Sequence, residues 1–144
     1  MTGRMSIRIY VPATLSGLAG FVGDGGVGPA PVRARAVTAW LREAWPEADE
    51  EDWEYAALMA AADDSVGLLT DDDQPRRVVL AADVDSAVES DDSTRVEVLS
   101  AFPFRLVKAV HADTGDLERA ASYDPEALGD LAWFGTQEIP DLLP

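Results

Sequence analysis

Between Trp53 and Leu69 the residues Tyr55, Leu58, Met59, Ala62, Val66 and Leu69 recur at helical spacing. At about 100° per residue they fall within an arc of roughly 100°, the width of a core-facing stripe, and no other regular structure fits. Asp49 is placed to cap such a helix. Glu50, Glu51 and Asp52 would then occupy its first turn, where carboxylates suit the positive end of the helix dipole. Trp53, Ala57, Ala60 and Leu68 lie roughly opposite the stripe, interrupted by Asp64, so a second, small-residue face is expected. Two apolar faces need two partners. A neighbouring helix against the alanines is the simpler expectation, and a partner protein covering Trp53 the sharper one.

The segments around this helix carry a different period. Ile7, Ile9 and Val11 alternate with Arg8 and Tyr10 as in a half-buried strand, which Pro12 is predicted to end. Val32, Ala34 and Ala36 alternate with Arg33 and Arg35 in a second strand. Val78-Val79-Leu80-Ala81-Ala82 is a continuous apolar run bounded by turn signals, which suits a strand buried on both faces in the middle of a sheet. Arg95 to Val98 reads as a short edge strand. Leu106 to Ala112 reads as another strand, after a turn at Phe102-Pro103-Phe104.

Short helices are predicted after Thr14, with Leu15, Leu18, Ala19 and Val22 on one face, and after Thr38, with Trp40 and Leu41 inward. Two more are predicted at Leu117 to Tyr123 and Pro125 to Leu131, with Asp124 as a cap. Ser86 to Thr94 is acidic, serine-rich and unpatterned and reads as a loop, while the apolar tail from Trp133 to Pro144 should dock back onto the body. The expected fold is one α/β domain over residues 1–144, a mixed sheet of about five strands with helices packed on it. The alternative is an α+β, ferredoxin-like sandwich.

Charge narrows the function classes. Twenty-seven acidic against eleven basic residues give a formal charge of −16 at pH 7, which repels nucleic-acid phosphate and anionic lipid surfaces. Neither nucleic acid nor a membrane is therefore expected as a partner; the surface either solubilises the chain or steers a basic protein towards it. Without cysteine there is no disulfide, no thiolate zinc site and no cysteine nucleophile. No apolar run is long enough to span a membrane, and Met1 to Ser6 lacks signal-peptide features, so a cytoplasmic protein is expected. The glycine-rich run from Gly23 to Pro29 follows a helix instead of opening one, so it is not read as a phosphate loop. Asp71-Asp72-Asp73 lacks the alternating spacing of a calcium loop and reads as a solvated turn. No cofactor or metal is predicted.

Three segments, Ile9-Tyr10-Val11-Pro12-Ala13-Thr14, Asp52-Trp53-Glu54-Tyr55-Ala56-Ala57 and Thr136-Gln137-Glu138-Ile139-Pro140-Asp141-Leu142-Leu143, together resemble an uncharacterised family of small actinobacterial proteins. The likeness runs over essentially the whole chain, and the ending is its most distinctive part. The resemblance implies a cytoplasmic single-domain protein and supplies no catalytic residues.

Two functional readings follow from the residues. If the first three strands were joined by helical crossovers they would run parallel, and a ligand would bind at their C-terminal edge. Thr14, Thr38, Asp83 and Asp85 follow those strands, and His111 and Asp113 end the last one, joining the same edge only if that strand is parallel to the others. Asp83, His111 and Asp113 are then the candidate catalytic group of a small hydrolase-like or metal-binding enzyme, since carboxylates and an imidazole bind divalent metals or act as bases. The preferred reading is a non-catalytic acidic module that docks on a basic cytoplasmic protein. Trp53, Trp133 and Phe134 would be its aromatic anchors, with Trp45 beside them, inside an acidic rim.

Overall fold

The structure, a computed structural model describing residues 6–118 and 128–143, is built on a seven-stranded sheet. In spatial order its strands are β5 (Val88–Glu89), β6 (Arg95–Val98), β3 (Val32–Arg35), β1 (Ile7–Ala13), β4 (Val78–Val84), β8 (Val107–Ala112) and β9 (Ala132–Gly135). A separate ladder pairs β2 (Gly26–Val27) with β7 (Phe102–Pro103). The helices are α1 (Leu15–Asp24), α2 (Ala39–Ala44), α3 (Glu50–Leu68) and α4 (Ile139–Leu142).

Every neighbouring pair in the large sheet is antiparallel, which corrects the expectation that the first three strands run parallel. β3 and β4 do share a direction, as a crossover through α2 and α3 requires, but β1 lies between them and runs against both. The chain reverses early. α1 stops at Gly25, whose φ of 71° is open to glycine without steric cost, and its N–H caps the carbonyls of Phe21 and Val22. The single domain is thus a mixed α/β fold around an antiparallel sheet, with more strands than predicted. Two of the extra strands come from unexpected places. β5 lies inside the acidic stretch read as a loop, where it covers the outer side of β6, and β9 is formed by the apolar tail.

Alternation along the strands sorts the core into two layers. Ile9, Val11 and Ala13 of β1 share one face with Val78, Leu80 and Ala82 of β4, covered by Leu15, Leu18 and Phe21 of α1 and by Ile139 of α4. Phe21, not the exposed Ala19 and Val22, completes the inward side of α1. The tail docks as expected. Val78 to Ala82 is fully buried, as its unbroken apolar run predicted, although β1 rather than β4 is the middle strand. Pro12 does not end β1; it lies within the strand opposite Val79.

The other face, with Tyr10, Val79, Ala81 and Ala109, is covered by α3. Its buried residues are Ala57, Ala61, Ala62 and Ser65, so the inward side is turned roughly a quarter of a revolution from the predicted stripe at about 100° per residue. Small side chains let the helix axis approach the small residues of the sheet, and the larger Leu58 and Met59 are half-buried alongside. Tyr55 is exposed, and its hydroxyl donates to Asp130, tying α3 to the segment before β9. Because Ala61 is wholly buried under the helix, Ala61→Leu is expected to destabilise by about 1–3 kcal/mol. Urea unfolding checks this, and an unchanged midpoint would mean that α3 stands off the sheet. The predicted helices at 117–123 and 125–131 fall largely on residues 119–127, outside the described residues.

Candidate functional site

Antiparallel pairing disperses the predicted catalytic group. Asp83 sits opposite Arg8, whose Nε and Nη2 donate to its two carboxylate oxygens at 2.6 and 3.2 Å. His111 sits opposite Val79, four positions along β4 from Asp83 and so roughly 13 Å away along the strand. Asp113 follows β8 at the His111 end and is taken up by Arg77, whose Nε and Nη2 reach its two oxygens at 3.0 and 2.8 Å. Thr14 and Thr38 spend their hydroxyls as caps of α1 and α2, accepting from the N–H groups of Gly17 and Leu41. Asp83 is thus far along the sheet from His111 and Asp113, and both carboxylates are held by arginines; the structure does not gather the three into one cleft. Among the described residues there is no group of three or more histidine or acidic side chains that could hold a metal ion.

His111 is half-buried on β8, between Val79 and Trp133 of the flanking strands. Burial pushes its imidazole below the ordinary value of 6.5, and the Arg8 guanidinium pushes the same way. The folded state therefore takes up this proton less readily than the unfolded chain. Its contribution to stability is complete above pH 6.5 and falls as the pH drops through the folded value. As the chain has one histidine, its ring-proton NMR signal titrates unambiguously. The expected midpoint is below 6.5; a midpoint above it would place the ring beside a carboxylate.

A more concentrated arrangement lies where α2 meets the start of α3. Asp49 and Asp52 form a reciprocal capping box, each side chain accepting from the other's backbone N–H at 2.9 and 3.1 Å. The box fixes the start of α3 and so places Trp53. The Trp53 indole donates to the Trp45 carbonyl at 3.0 Å, and the Arg42 guanidinium lies 4.7 Å over its ring while also pairing with Glu50. Trp53 is thus half-buried and serves as the staple between two helices. Trp40 and Trp45 remain 38% and 39% exposed, although Trp40 was predicted to face inward with the buried Leu41. Around them Glu43, Glu47, Asp49, Glu50, Glu51 and Asp52 are all exposed. Of the other predicted anchors, Trp133 is 59% exposed on β9, whereas Phe134 is half-buried against the core.

A groove of about 800 Å³ runs between the second half of α3 and strands β3, β6 and β5. Leu68 and Val88, 50% and 53% exposed, line it together with Pro12. Asp63, Asp64, Glu89 and Glu97 supply carboxylates, and Arg33 and Arg95 supply guanidiniums. Arg35 adjoins it, donating to both Asp64 oxygens at 2.6 and 2.9 Å and to Thr94 at 3.1 Å. Burial, with the neighbouring Asp64 charge adding to it, raises the Asp63 carboxyl above its ordinary value. No local motif marked this groove, because its walls come from segments far apart in the chain.

These features define a single-domain α/β protein with an acidic, aromatic corner and an amphipathic groove, in which no helix of the described residues is long and apolar enough to cross a membrane. The chain belongs to DUF6912, a family of unknown function, which it matches over residues 7–143. No curated protein and no solved structure matches it.

Proposed function

We propose that the protein is a non-catalytic binding module that docks on a basic cytoplasmic protein through the α2–α3 corner. One observation carries this reading: Trp40 and Trp45 are exposed beside the Trp53 staple, within a segment bearing the acidic residues Glu43, Glu47, Asp49, Glu50, Glu51, Asp52 and Glu54. Large aromatics supply contact area at low entropic cost, and an acidic rim in a chain of net charge −16 steers a basic surface towards them. Binding energy would concentrate on Trp45 and Trp40, with Trp53 holding them in position through its bond to the Trp45 carbonyl. The dispersal of Asp83, His111 and Asp113 favours this reading over the hydrolase-like or metal-binding one.

The test is affinity capture from the source lysate at low and high salt, with identification of the bound protein. Trp45→Ala removes the indole and keeps the carbonyl that Trp53 uses, so the corner should stay folded. It is expected to weaken capture by about 2 kcal/mol, roughly 30-fold, while Trp133→Ala leaves it intact. A basic protein released by salt and lost with Trp45→Ala supports the module. Capture that ignores both salt and Trp45, or that fails altogether, refutes docking through this corner.

A further inference from the structure

We infer that the groove between α3 and strands β3, β6 and β5 receives an extended basic segment of the partner, with lysine or arginine side chains placed beside the last turn of α3. This rests on the binding-module reading and names what a second surface of the module would take. Charge complementarity selects the sign. Four carboxylates line the groove against the guanidiniums of Arg33 and Arg95, and even with Arg35 bound to Asp64 at its edge the carboxylates remain in excess; Arg33 is 3.8 Å from Glu97. Gly67 and Leu68, in the last turn of α3, belong to the same lining, and that turn contains no basic residue. The negative end of the helix dipole therefore adds to the carboxylates, at a position where cations are stabilised.

Shape and apolar surface select a peptide. Three strand spacings separate β5 from β1, roughly 14 Å, and α3 takes up the β1 side, which leaves the width of one extended chain. Half-exposed Leu68 and Val88 offer apolar contact to the aliphatic stems of lysine or arginine while the carboxylates meet their heads. Arg95, directly opposite Arg35 in the β3–β6 ladder, opposes a cation and is outweighed by the acidic excess.

The experiment is a two-dimensional NMR titration of the full chain with a capped hexapeptide of alternating lysine and valine. Parallel titrations use the glutamate–valine counterpart and spermidine. Saturable shifts are expected at the amides of Gly67, Leu68, Val88 and Val96 with the lysine peptide alone. Gly67→Lys is expected to weaken that binding about fivefold, as the loss of roughly 1 kcal/mol implies. The variant keeps its fold, since an added Cβ at Gly67 meets no heavy atom within 4 Å and any other residue than glycine or proline favours the helix. Equal shifts from spermidine would overturn the assignment in favour of a polyamine, and equal shifts from the glutamate peptide would overturn its sign. Shifts confined to the indole signals of Trp40, Trp45 and Trp53 would remove the groove and leave the corner standing. Absence of any shift overturns the groove as well, whereas failed capture with a groove that binds peptide removes only the corner.

Discussion

Replacing Asp113 by alanine is expected to cost about 3–5 kcal/mol, because it leaves a buried guanidinium without its countercharge. Arg77 has no exposed surface, and the carboxylate of Asp113 accepts from its Nε, its Nη2 and its backbone N–H. The Asp113 N–H returns a bond to the Arg77 carbonyl at 3.1 Å, and Nη2 also donates to the Leu128 carbonyl at 3.0 Å. The pair thus joins the start of β4, the end of β8 and the segment leading to β9. Nη1 of Arg77 is buried with no hydrogen-bond partner among the described residues, so desolvation is incompletely offset even in the intact pair. For that reason the double variant Arg77→Met/Asp113→Leu is expected to recover most of the stability lost in either single change. Urea unfolding of Asp113→Ala, Arg77→Met and the double variant measures this. An Asp113→Ala protein within about 1 kcal/mol of the parent would mean that water reaches the guanidinium.

Ser65→Ala should produce the next largest loss, about 2–4 kcal/mol, from a change of one oxygen atom. The Ser65 hydroxyl, fully buried, donates to the Ala13 carbonyl at 2.7 Å and accepts from the Val78 N–H at 3.0 Å. It therefore completes the β1–β4 ladder where Ala13 and Val78 face one another, and it fixes α3 against both strands. Alanine fills the space but strands two buried backbone groups. Amide exchange at Val78 reports the effect directly: it should accelerate in the variant, and unchanged exchange with unchanged stability would show that water replaces the hydroxyl.

Much of the local structure could be read from the sequence because its causes are local. Thr14, Thr38 and Asp49 cap their helices through side chains that reach N–H groups three residues away. The run Val78 to Ala82 identified a strand covered on both sides for the same reason. Strand direction was less accessible, since it depends on where the chain turns back after α1. The inward face of α3 is displaced from the predicted stripe because Leu58, Met59 and Tyr55 outweigh alanine in hydrophobicity, whereas close approach to a sheet selects the small residues Ala57 and Ala61 beside Ala62, which the stripe did include. The acidic stretch containing Val88 gave no strand signal, as β5 is only two residues long. Of the candidate site, the acidic and aromatic composition of residues 40–54 was visible. Pairings such as Arg77 with Asp113 and Arg8 with Asp83, which engage the predicted catalytic carboxylates, join residues too distant in sequence for any spacing to reveal.

Docking through the α2–α3 corner can be observed by hydrogen exchange of the full chain with and without the captured partner. The expected result is slowed exchange over residues 39–56, lost with Trp45→Ala and weakened by salt, with the β8–β9 face unchanged. Protection centred on Trp133 and His111 instead, with residues 39–56 unaffected, would contradict it.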